Sequence, residues 1–106
     1  MVKRERLLEY SVDADIDLQF FKAYEQAIID GKIRTHLIEN DPYRLSKNNG
    51  PLDTPDPLGD RRLKIPPWRV FYLIEEEQTA TKVKILRIGH KPKETLYIRG
   101  KKVMST

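Results

Sequence analysis

Residues 68–90, from Trp68 to His90, read WRVFYLIEEEQTATKVKILRIGH. Two runs rich in Val, Ile, Leu, Phe and Tyr flank the polar connection Glu75, Glu76, Glu77, Gln78 and Thr79. That composition predicts an antiparallel hairpin. In the first run Val70, Tyr72 and Ile74 share one face, and Arg69, Phe71 and Leu73 the other. In the second, Val83 and Ile85 alternate with Lys82 and Lys84 until the phase slips at Ile85–Leu86, which predicts a bulge or burial on both faces. Cations punctuate both runs, and the second passes through Gly89 to His90, Lys91 and Lys93. A sheet with one apolar face and a cationic opposite face is a platform for a polyanion.

Outward from the hairpin, residues 4–12 read as a first strand with Leu8, Tyr10 and Val12 on one side. Asp13 and Asp15 are placed to cap a helix, with Asp17 favoured by its dipole. Apolar positions from Ile16 to Ile28 recur at three- and four-residue spacing and predict an amphipathic helix ending near Asp30–Gly31. A shorter helix with Ile33, Leu37 and Ile38 inward then runs to about Asn40, stopped by Asp41–Pro42. Residues 42–60 hold four of the seven prolines and two of the five glycines and read as a long loop. RRLKI at 61–65 is a short strand with Arg62 and Lys64 facing one way and Leu63 and Ile65 the other. Pro66–Pro67 turns into the hairpin, and residues 95–98 read as a last short strand or turn. The expected class is α+β, a single domain over 1–106: strand and helical hairpin at 1–41, proline-rich loop at 42–60, antiparallel sheet at 61–98, and a basic, frayed tail at 99–106.

Composition bounds function. The chain of 106 residues has no cysteine, which excludes disulfides and thiolate metal sites. No apolar run approaches the roughly 20 residues of a membrane span, and the basic start lacks an apolar signal core, so export is not expected. A cytoplasmic protein is the default expectation. The net charge of +4 conceals an asymmetry: residues 1–60 carry 8 Lys/Arg against 12 Asp/Glu, and residues 61–106 carry 12 against 4. The sheet half is therefore strongly basic, which favours a phosphate-rich or acidic partner, with a solvated surface that keeps the protein soluble as the alternative.

No HExxH, paired-carboxylate or phosphate-loop motif appears, and His36 and His90 are the sole histidines. No metal and no cofactor are expected. What remains near the strand ends is Arg62, Lys64, Arg69, Arg87, His90, Lys91, Lys93 and Tyr97. RNA cleavage can use such groups without metal. The 2′-OH attacks the neighbouring phosphorus, cations stabilise the phosphorane, and protons are moved by groups of suitable pKa. Tyrosine can stack on a base. Structural roles for Arg69 beside Trp68, for His90 at a strand end and for Tyr97 against the core fit the sequence equally well. His36 reads as a surface or helix-packing residue.

DRRLKIPP followed by WRVFYLIEEEQTATKVKILRIGHKPKETLY resembles the core signature of the RelE/ParE superfamily of toxin–antitoxin toxins over residues 60–97. The resemblance implies the β-α-α-β-β-β fold, two helices packed on a small antiparallel sheet. For RelE-like members it implies a metal-independent endoribonuclease, an mRNA interferase acting on ribosome-bound mRNA and neutralised by a cognate antitoxin. Carried over by position, Arg69, Lys91 with His90 beside it, and Tyr97 become the catalytic set, and Arg62 and Lys64 the phosphate contacts; Arg87 and Lys93, from the cation cluster itself, are expected to add further phosphate contacts. The chain departs from the pattern in carrying Asp60 where a lysine is common, Lys91 for an arginine, and Pro92 in the loop. The alternatives are a ParE-like inhibitor of DNA gyrase, or a non-toxic binding module that kept the fold.

Overall fold

The computed structural model describes residues 4–56 and 58–103, with backbone alone at positions 53–56. Its centre is the expected hairpin, β4 (Trp68–Glu76) against β5 (Ala80–His90). Tyr72 pairs with Ile85 and Phe71 with Arg87, so Leu86 faces no partner and is the bulged residue. The bulge inverts the parity of β5, which lets Ile85 and Ile88, three residues apart, both lie fully buried in the core. Val70, Tyr72 and Val83 are fully buried beside them.

The strand β3 (Gly59–Ile65) adds to β4 in antiparallel register, sending Leu63 and Ile65 into the same core. Beyond it lies β2 (Asn49–Asp56), in the stretch that the sequence reads as a loop. Proline density misleads here because β2 is the edge of the sheet, where a residue without an N–H costs no ladder bond on the solvent side. The register of β2 shifts between Pro51 and Asp56.

The first strand, β1 (Glu5–Tyr10), joins the sheet as expected but runs parallel to β5, from Glu5 opposite Ala80 to Tyr10 opposite Ile85. The sheet is thus antiparallel apart from this pair. At the far end of β5, β6 (Tyr97–Ile98) and β7 (Lys101–Lys102) make a short hairpin. The tail is therefore not frayed as far as Val103, whose N–H donates to the Leu96 carbonyl at 2.8 Å; residues 104–106 lie outside the described residues.

Two helices cover one face of the sheet, with different bounds from those expected. Ser11, not Asp13 or Asp15, caps α1 (Val12–Gln19), its hydroxyl accepting from the Ala14 N–H at 3.0 Å and donating to the Leu86 carbonyl. The chain then breaks at Phe20–Lys22, inside the predicted helix. Adjacent phenylalanines cannot share one helical face. The turn leaves Phe20 exposed and lays Phe21 against Trp68 and His90, with centroids at 6.3 and 6.5 Å. The Lys22 N–H donates to the Glu25 carboxylate at the start of α2 (Ala23–Arg34). Gly31 does not end the helix: it lies within α2, which continues into one π turn, Thr35–Glu39. Asn40 closes that turn, its backbone and side-chain N–H groups both donating to the Thr35 carbonyl. Ile29, Ile33 and Leu37 are fully buried against the sheet, each burial stabilising by roughly 1.5–3 kcal/mol.

Candidate phosphate-binding site

Successive rows of register partners alternate between the two faces of a sheet. One row runs Ile65, Trp68, His90, Tyr97, Lys102. Its buried members Ile65 and Trp68 belong to the core, so it looks towards the helices. The adjacent row runs Lys64, Arg69, Gly89 and looks the opposite way. Gly89 is needed in that row because a β-carbon there would meet the Tyr97 carbonyl oxygen at 2.9 Å and the Leu96 side chain at 2.8 Å. The chain after β5 folds across the row's end and brings Lys91 back, its N–H donating to the Pro67 carbonyl at 2.7 Å.

On this helix-free face Arg62 and Lys64 project from β3 and Arg69 from β4. Lys47 joins them from the turn that precedes β2, held by the Lys64 N–H donating to the Asn48 carbonyl at 2.6 Å. Arg62 above all, then desolvation, then Arg69, Lys91 and Lys47 lower the pKa of Lys64. Burial, followed by the charge of Arg62, lowers that of Arg69. One Arg69 guanidinium NH2 nitrogen donates to the Trp68 carbonyl at 3.0 Å, while its buried Nε has no partner. Arg62, Lys64, Arg69 and Lys91 form no ion pair with any described carboxylate. Elsewhere in the molecule Arg34, Lys82, Arg87 and Arg99 are all paired. Mutually repelling cations held together without counter-charge are a candidate site for an anion, whose charge would relieve the repulsion.

The structure divides the set of residues singled out in the sequence. Arg62, Lys64, Arg69 and Lys91 come together. His90 and Tyr97 are register partners of each other in the opposite row, with the imidazole beside Phe21 on the helix side. Arg87 is drawn away to α1, where its Nε and one guanidinium NH2 nitrogen donate to Asp17 at 2.8 and 3.1 Å. That bonding raises its pKa. Lys93 is exposed in the connection between β5 and β6. His36 is exposed on the π turn.

Sequence reasoning missed Lys47, hidden in a stretch read as loop. It also missed Asp17, which is fully buried and accepts from Arg87, from the Arg99 Nε at 2.7 Å and from the Ile88 N–H at 3.0 Å. The signal was available: Asp17 falls in helical phase with the inward-facing Ala14 and Leu18. Among the described residues no cluster of His, Cys, Asp and Glu is arranged to hold a metal ion. No helix among the described residues is long and apolar enough to cross a membrane.

No family model matches the sequence, and no curated protein does. In fold the chain is similar to a chain of the toxin–antitoxin complex RelBE2 from Mycobacterium tuberculosis, at a TM-score of 0.56 and 22% identity. The likeness covers 80% of this chain and 96% of that one. It establishes the α+β fold, two helices on a mainly antiparallel sheet, that the resemblance at residues 60–97 implies.

Proposed function

We propose that the chain is the toxin of a type II toxin–antitoxin pair: a metal-independent endoribonuclease that cleaves mRNA on the ribosome, in the cytoplasm, and is neutralised by a cognate antitoxin. The observation that carries this reading is the unneutralised cluster Arg62, Lys64, Arg69 and Lys91 on a face free of helices. The fold shared with a chain of a toxin–antitoxin complex supports it.

In this reading Arg69 and Arg62 bind the scissile phosphate and stabilise the charge that develops when the 2′-OH attacks. Lys64, whose pKa is lowered chiefly by the charge of Arg62, stands beside Arg69 and is assigned the proton transfer. Lys91 anchors the chain of phosphates at the open end. His90 and Tyr97, on the other side of the sheet, act at most on nucleotides that pass around its edge. The test is a purified translation reaction with a defined mRNA, its cut sites mapped by primer extension. Wild-type protein is expected to cut in a ribosome-dependent way, and Arg69→Ala to lose at least about 100-fold in rate while retaining the native circular dichroism spectrum. Equal cutting by that variant would remove Arg69 from the site.

The separation of the imidazole and phenol from the cations favours one second reading. A cationic face without a neighbouring imidazole suffices for binding, as an inhibitor of DNA gyrase needs. Intact mRNA together with inhibition of gyrase-catalysed supercoiling would select it.

A further inference from the structure

The outward face of α2 is built to receive another helix. Ile29 and Ile33 are buried against the sheet. On the far side, Tyr24, Ala27, Ile28 and Gly31 follow the i, i+3, i+4, i+7 spacing of one helical stripe. Tyr24 is 63% and Ile28 42% exposed, and no charged residue interrupts the stripe. Gly31 sits in the helix interior, where glycine weakens a helix relative to alanine. Nothing inside the molecule calls for it, since a β-carbon at Gly31 would meet no atom within 4 Å. A bare backbone at that place serves an approach from outside.

We propose that this face binds a second copy of the chain, α2 against α2 in antiparallel orientation about a two-fold axis. An antiparallel pair centred between Ala27 and Ile28 sets the Tyr24 ring of each copy over Gly31 of the other, filling the gap left by the missing side chain. The charges at the margin agree with this arrangement. Glu25 and Lys32 lie on the same flank of the stripe, two helical turns apart. A two-fold axis across the helices keeps that flank facing itself, so Glu25 of each copy meets Lys32 of its mate, and the contact occurs twice. Lys32 has no ion pair among the described residues. Glu25 uses one carboxylate oxygen to accept from the Lys22 N–H and keeps the other. In a parallel arrangement the two-fold axis runs along the helices and sets this flank against the opposite flank of the mate, so the Glu25–Lys32 contact is lost. The stripe alone is small for a stable interface, so the dimer is a weak, concentration-dependent one.

Sedimentation equilibrium of the full chain, over micromolar to millimolar concentrations, tests the proposal. Wild type is expected to pass from monomer to dimer mass. Lys32→Glu changes both symmetry-related contacts at once and should weaken association on the order of tenfold. The exchange Glu25→Lys with Lys32→Glu should restore most of that loss, which no parallel or unrelated contact would do. Gly31→Leu should raise thermal stability through better helix propensity and yet abolish the dimer. Lys32→Glu and Gly31→Leu alter no contact within the chain, so the test stands even if the double exchange folds poorly. A wild-type chain that stays monomeric throughout overturns the proposal. So does a dimer indifferent to Gly31→Leu, or capture of this face by an amphipathic helical peptide in the absence of self-association.

Discussion

Arg69 illustrates how much one side chain's neighbours decide. It faces Lys64 across one ladder and Gly89 across the next, so it has like charge on one side and no side chain on the other. Its Nε is buried without a partner, a cost of about 1–3 kcal/mol. Lys64 carries the complementary signature in its titration. Its pKa in the folded chain lies below the ordinary lysine value because of Arg62, so the unfolded chain binds the proton more tightly. Stability attributable to this residue is therefore lowest below the folded pKa and recovers as pH rises towards about 10.4. Lys64→Met is expected to raise the thermal midpoint at neutral pH and to flatten its rise on the alkaline side, as calorimetry across that range would show. A midpoint unchanged by the substitution at every pH would mean that the repulsion is not felt.

Among the elements, the latch between α1 and the β6–β7 hairpin centres on the buried carboxylate of Asp17, with Asp13 adding an exposed contact to Arg99. Asp17 holds Arg87, Arg99 and the Ile88 N–H together while being itself wholly buried. Arg99 is kept at a φ of 51° by these bonds and by Asp13, a backbone state that costs a side-chain-bearing residue roughly 1–2 kcal/mol. Asp17→Ala is expected to cost about 3–5 kcal/mol in denaturant unfolding. Asp30→Ala breaks an exposed pair with Arg34 together with the Tyr10 hydrogen bond, and should cost about 1–2 kcal/mol. Equal losses would contradict the difference in burial. Gly89→Ala should destabilise by about 1–3 kcal/mol, since the Tyr97 backbone stands in the way of its β-carbon. The hairpin and its bulge were legible in the sequence because alternation is a local signal and its interruption at Ile85–Leu86 is equally local. The break at Phe20–Lys22 was not, since it is set by Trp68 and His90, nearly 50 and 70 residues away. The edge strand β2 was hidden because proline is excluded from the middle of sheets but tolerated at their margins.

For the whole molecule, the charge asymmetry between the two halves of the sequence foretold a basic sheet, and the fold concentrates it further. Lys47, from the acidic half, joins Arg62, Lys64, Arg69 and Lys91. Four of these cations were legible from spacing on strands; which face the imidazole and phenol would take depended on the register beyond Gly89. If all five neutralise phosphates, the logarithm of single-stranded RNA affinity should fall with the logarithm of salt at a slope near −3.5, measurable by fluorescence anisotropy. Lys47→Ala should make the slope shallower by about 0.7. A slope near zero would refute an electrostatic RNA face.

The parallel pairing of β1 with β5 has a consequence in time. Residues 5–10 find their ladder partners only at residues 80–85, and Arg69 finds Gly89 later still. In synthesis from the amino end, residues 5–10 stay without ladder partners until residues 80–85 have been added, since such distant contacts close last. The cationic cluster is complete only once Lys91 has been added and β4 has paired with β5, so its charges are brought together by the last step of folding and not held close in the growing chain.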